Sequence, residues 1–171
     1  MKRVGLFLLS GFIIVLHSMA SISYSVSFPE SKAHYAHIQI RFSAKSNESE
    51  FKVPVWTPGS YKVREFSQNM EAVQAHGTNA ALNIERRDKN TWVVYSKIGD
   101  EVVLSYKVYC FVNSVRHSYV DERYAFLHGV SAFGYISGRE KEKIILEIKP
   151  QADWKDVAIA AQRQDKEGYI F

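Results

Sequence analysis

His37-Ile38-Gln39-Ile40-Arg41-Phe42 sets an apolar side chain at every second position. A period of two puts Ile38, Ile40 and Phe42 on one face of an extended strand and His37, Gln39 and Arg41 on the other. The same alternation precedes it in Ile22, Tyr24, Val26 and Phe28, which are separated by serines, and resumes at Phe51, Val53 and Val55 after the polar stretch 45–49. Residues 38–55 therefore read as a hairpin. Further strands are expected at 81–86, 91–96, 101–113, 143–149 and 154–160, each bounded by polar or Gly-containing breaks. Asp88-Lys89-Asn90 and Gly99-Asp100 supply turn chemistry, and the charges at 139–143 next to Gly138 mark another loop. Residues 60–70, after Pro58-Gly59, are the one stretch with room for a helical turn, although their apolar spacing is irregular. Short strands at this spacing predict an all-β protein, an antiparallel β-sandwich.

The strands begin after a segment of different character. Lys2 and Arg3 precede the apolar run 4–16, which ends in Ser18-Met19-Ala20. These are the parts of a signal peptide, expected at 1–20 with cleavage after Ala20. The apolar run is thirteen residues long, against the roughly 20 that a helix needs to cross a bilayer, which leaves an uncleaved anchor as the competing reading. A stable membrane anchor is not expected after cleavage, and the mature protein is expected in the periplasm or outside the cell. Residues 21–171 then form one domain, of a size that supports its own core. Lys and Arg total 22 against 18 Asp and Glu, and two of the bases lie in the leader, so the mature chain is close to neutral. A nucleic-acid footprint needs clustered basic residues rather than so slight an excess.

Few residues are arranged for chemistry. A helical zinc hydrolase site needs His-Glu-x-x-His, and the sequence contains none. His34 and His37 are three apart, which on an extended strand sends them to opposite faces and makes them poor co-ligands. Ser60 follows Pro58-Gly59, a turn pair rather than a nucleophile elbow. Asp121 and Glu122 are neighbours and, on a strand, would also face opposite ways. Cys110 is the only cysteine, it cannot form an internal disulfide, and it falls on the apolar side of 104–112, where an inert buried thiol is expected. Asn47-Glu48-Ser49 fits a glycosylation acceptor formally but reads as turn chemistry. No catalytic, cofactor-binding or metal residue is assigned.

Aromatic residues mixed with arginines are dense in 56–66 and 109–126. Such mixtures suit buried interfaces, and equally suit ordinary cation–π and core packing. The same two places carry a family likeness. Val53-Pro54-Val55-Trp56-Thr57-Pro58-Gly59-Ser60-Tyr61, continuing to Arg64-Glu65-Phe66, resembles the V-P-V-W-T-P-G-S-Y-x-x-R-x-F block in the N-terminal domain of M61 (glycyl aminopeptidase-like) peptidases. Asp88-Lys89-Asn90-Thr91-Trp92 is similar to a D-K-N-T-W turn of that family. Tyr106-Lys107-Val108-Tyr109, then Ser114-Val115-Arg116 and Ser118-Tyr119, resemble its Y-x-V-Y and S-V-R-x-S-Y pieces. The likeness covers most of 21–160 in family order. It departs at His128, where an asparagine would precede Gly129, and at Cys110 and Phe111, which replace smaller or more polar residues.

The resemblance implies a non-catalytic β domain that packs beside a zinc aminopeptidase catalytic domain, in cis in relatives and in trans if the gene is split. Full-length relatives remove N-terminal residues, glycine in particular, and carry their H-E-x-x-H helix, distal zinc ligand and PDZ module after the β domain. No cofactor is expected in this chain, and it is not expected to be an enzyme. The closing run Gly168-Tyr169-Ile170-Phe171 is apolar, which reads as a truncated or split-gene product. The candidate interdomain docking residues are Trp56, Tyr61, Arg64, Phe66, Arg116 and Tyr119. The rival expectation is an autonomous exported β-sandwich that binds a peptide or glycan on the aromatic and arginine face.

Overall fold

Burial follows the alternation in the sequence. In β1 (Ile22–Ser27) and β2 (Tyr35–Ser43) the apolar members Ile22, Tyr24, Val26, Ala36, Ile38, Ile40 and Phe42 are buried, and the residues between them face outward. β7 (Glu101–Tyr109) repeats the pattern with Val102, Leu104, Tyr106 and Val108. Each Val, Leu, Ile or Phe buried in this way contributes roughly 1.5–3 kcal/mol. The computed structural model describes residues 22–165 and 169–171, so the expected leader lies outside the described residues.

β1, β2 and β7 are joined by β4 (Met70–His76) at one edge and β11 (Ile144–Lys149) at the other, in the order β11-β1-β2-β7-β4. The β1/β11 pair is parallel and the other pairs of this sheet are antiparallel. A second sheet contains β3 (Glu48–Lys52), β5 (Ile84–Arg86), β6 (Thr91–Tyr95) and β10 (Tyr135–Ile136), in the order β10-β3-β6-β5. β8 (Tyr119–Val120) and β9 (Ala125–Phe126) form a small ribbon, followed by the helical turn α1 (Gly129–Ala132). The protein is thus all-β and sandwich-like. Its core lies between the inner faces, where the Phe51 ring of β3 sits 5.3 Å from the Tyr106 ring of β7. Tyr106 also ties the layers with hydrogen bonds: its hydroxyl donates to the Ala132 carbonyl and accepts from the Gly134 N–H, while Tyr24 donates to the Gly134 carbonyl. Gly134 is required by this approach, since a Cβ there would come within 2.2 Å of the Phe51 ring.

Three expectations fail. Residues 38–55 are not a hairpin, because β2 and β3 enter different sheets: Ala44 pairs back to Asp100 and Gly99, and the chain then crosses the sandwich before β3 starts. Residues 154–160 form no strand, because the free edge of β11 is taken by 169–171, through Leu146 to Phe171 and Ile148 to Tyr169. Trp154 instead packs on Phe28, with ring centroids 4.8 Å apart, and Val157 and Ile159 line a cavity of about 450 Å³ beside Leu146 and Ile148. The strand expected over 101–113 stops at Tyr109, where the Cys110 N–H turns to the His34 carbonyl. Within 60–70 the helical turn is a 3-10 turn at Phe66–Asn69.

Candidate docking surface

Loop 54–64 is a closed excursion from β3. The Arg64 N–H donates to the Val55 carbonyl at 2.6 Å and shuts its base. At its tip Ser60 N–H reaches Thr57 O at 3.1 Å, with Pro58 fixing φ and Gly59 taking a positive φ of 79°. Ser60 is the latch inside the loop. Its hydroxyl donates to the Lys62 carbonyl at 3.0 Å and accepts from Arg64 Nε at 3.2 Å, while its own carbonyl accepts from Trp56 Nε1 at 2.8 Å. These bonds leave the rings outside: Trp56 is 50% exposed, and Tyr61 and Val63 stand in solvent.

The second element follows β7. Cys110 is buried, its thiol donates to the Val108 carbonyl, and burial pushes that thiol up to about 12, so it stays unreactive near neutrality. Beyond it, Phe111 bridges to Tyr119, and a turn is held by His117 N–H to Ser114 O and by Ser114 Oγ to His117 Nδ1 at 3.0 Å. Arg116 stands exposed at the tip of that turn. A row of rings runs along this surface in steps of 5 to 6 Å. Tyr35 meets Tyr109 at 5.3 Å, Tyr109 meets Phe111 at 6.2 Å, Phe111 meets Tyr119 at 6.3 Å, and Tyr119 meets Tyr124 at 5.4 Å. Asp121 anchors the far end by accepting from the Arg123 guanidinium and from the backbone N–H groups of Arg123 and Tyr124. Burial raises its pKa, but these bonds outweigh that and hold the carboxyl down at about 2.

The two elements meet at His117. The Phe66 ring lies edge-on to it at 6.0 Å, and Arg64 is close enough to act on its charge. Burial first, then Arg64 and His128, push the His117 imidazole below the ordinary histidine range. Of the six residues expected to dock, Trp56, Tyr61 and Arg116 are exposed, and Arg64 and Tyr119 are half-buried. Phe66 is corrected to the core, at 1% exposure, because the 3-10 turn aims it inward beneath the loop. Phe111, Val112, Val115 and Phe126 are exposed members of the same surface that the sequence reading left out. The signal was available for Phe111: Tyr109 and Phe111 occupy the outward parity of a strand whose inward set is Leu104, Tyr106, Val108 and Cys110.

The remaining titratable residues have other partners. His34 is not on a strand: it adopts a left-handed conformation, φ 66°, before β2, binds the Val120 carbonyl through Nδ1 at 2.6 Å and lies against Phe111 at 4.2 Å. His37 does lie on β2 and reaches Glu30 at 3.1 Å. Asp121 and Glu122 lie in a turn after β8 rather than on a strand, and Glu122 pairs with Lys32. Among the described residues no three His, Cys, Asp or Glu side chains are grouped to hold a metal ion, so they do not fit a zinc site.

Residues 23–171 match the Peptidase M61 N-terminal domain. The fold is similar to the crystal structure of an aminopeptidase N family protein from Idiomarina loihiensis, with a TM-score of 0.72 and 25% identity over 75% of this chain. This chain spans 22% of that protein's length. No curated protein matches it.

Proposed function

Since the chain belongs to the peptidase M61 N-terminal domain family, we propose that it serves as the non-catalytic β domain of an M61 metallopeptidase and packs against a zinc aminopeptidase catalytic domain. The observation that carries this is the exposed apolar surface built from loop 54–64 and the 109–126 segment, the two places where rings are aimed outward by specific backbone bonds. Contiguous exposed apolar surface of this kind marks an interaction site. The hydrolytic chemistry and its zinc belong to the partner, which is supplied either by a longer chain or by a separate one. Export follows from Lys2, Arg3 and the apolar run 4–16, and N-terminal sequencing of the exported protein should begin at Ser21.

The test is to mix the purified protein with a separately produced M61 catalytic region and follow mass by light scattering, with glycyl-anilide hydrolysis assayed on each component. A one-to-one complex, with no turnover by this chain alone, is expected. Chelator-sensitive turnover by the lone chain, or separate elution of the two components, contradicts the proposal. The continuous ring row from Tyr35 to Tyr124 favours a second reading, an exported module that stacks a peptide or glycan. That reading predicts saturable binding of such a ligand by the lone chain, lost in Phe111→Ala.

A further inference from the structure

The arginines divide into two groups. Arg41, Arg87, Arg123, Arg139 and Arg163 are each paired with a carboxylate, to Glu101, Glu48 and Glu50, Asp121, Glu142 and Asp165 respectively. Arg86 donates to the carbonyls of Asp88 and Lys89 and lies over the Trp92 ring. Arg64 and Arg116 are the exceptions among the described residues. Arg64 is half-buried, yet its side chain bonds only the neutral Ser60 hydroxyl, and Arg116 has no side-chain partner. The acids nearby in sequence are spent elsewhere: Glu65 turns to Lys89 at 3.6 Å, Asp121 to Arg123 and Glu122 to Lys32. The charged groups acting on His117, the sequence neighbour of Arg116, are Arg64 and His128, and both disfavour its protonation. Positive charge is therefore left uncompensated at the point where the two exposed elements join, although a partly buried guanidinium is ordinarily paired.

We infer that this junction docks a carboxylate-bearing face of the M61 catalytic domain, with Arg64 and Arg116 receiving Asp or Glu side chains and Trp56, Tyr61 and Phe111 covering apolar surface around them. The inference rests on the proposed packing against that domain and adds the partner's chemistry. Arg is suited to the task because its planar fork takes a carboxylate in two parallel hydrogen bonds. The surrounding rings exclude water and strengthen those bonds, an arrangement found at the centres of interfaces.

The experiment measures the affinity of the purified protein for a separately produced M61 catalytic region at low and moderate salt, for wild type, Arg116→Glu, Arg64→Gln and Arg64→Lys. Arg116→Glu touches no internal bond, so the fold should be unchanged, and binding should weaken about tenfold or more because like charges then face each other. Wild-type affinity should fall with added salt, and Arg64→Lys should recover part of what Arg64→Gln loses. On complex formation, the His117 imidazole, followed by NMR against pH, should titrate at higher pH as a carboxylate offsets Arg64 and His128. A complex that forms but ignores both Arg116→Glu and salt overturns the inference and leaves the packing proposal standing. Absence of any complex overturns both.

Discussion

The outer face of the five-stranded sheet and the surface made by loop 54–64 and the 109–126 segment both present side chains to solvent, and they treat charge in opposite ways. On the sheet face Lys107 binds Glu30 at 2.7 Å, His37 binds the same carboxylate at 3.1 Å, and Arg41 pairs with Glu101. The lysine and histidine bonds hold the Glu30 carboxyl below its usual range. The face closes its charges on itself and needs nothing from outside. The other surface closes one ion pair, Arg123 with Asp121, at its far end, but where its two elements join it spends the Ser60 hydrogen bonds inside loop 54–64 and leaves Arg64 and Arg116 without acidic partners. A face that is complete alone reads as solvent surface; one that is incomplete reads as an interface.

The comparison is broken first by the core beneath it. Phe66→Ala should destabilise the protein by about 3–5 kcal/mol, since it removes a fully buried ring and leaves a cavity, and denaturant unfolding measures this. Tyr61→Ala, one loop turn away, should leave stability within about 0.5 kcal/mol yet weaken binding to the catalytic region by about 1 kcal/mol or more. If Tyr61→Ala unfolds the protein, the surface is packing rather than docking.

Acid sharpens it next. Asp121 is held at about 2, against about 3.9 in an unfolded chain, so its contribution is present above the unfolded value and is lost as pH falls through about 2. His117 and His128 are depressed by burial and resist protonation when folded, so stability should already decline as pH drops below about 6.5, where unfolded imidazoles take up protons. Unfolding midpoints across pH should therefore show two limbs, the lower one reduced by Asp121→Asn, with Glu30, Glu50, Asp88 and Glu140 still contributing to it, and the upper one reduced by His117→Gln. The smallest effect belongs to the self-closed face: Arg41→Ala removes an exposed ion pair and should change stability by no more than about 1 kcal/mol and binding not at all.

How much of this was legible depended on how many residues shared a pattern. β1, β2 and β7 were readable because six to nine residues alternate without interruption. β4 was not, because a bulge between Glu71 and Gln74, with Ala72 at φ 50°, breaks its parity. β8, β9 and β10 are two residues each, too short to carry a period. The hairpin over 38–55 failed because alternation reports which face is apolar and says nothing about which strand lies alongside. Within the candidate docking surface the aromatic and arginine density pointed to segments 56–66 and 109–126, where the structure exposes Trp56, Tyr61 and Arg116. It could not separate Phe66 from Tyr61, since irregular backbone has no parity from which burial follows.

Hydroxyl-radical labelling read by mass spectrometry, with and without the M61 catalytic region, puts the two faces in one measurement. Trp56, Tyr61 and Phe111 should lose labelling when the partner is added, while His37 on the sheet face keeps its own. Protection of His37 with Trp56, Tyr61 and Phe111 unchanged would contradict the assignment of the docking surface.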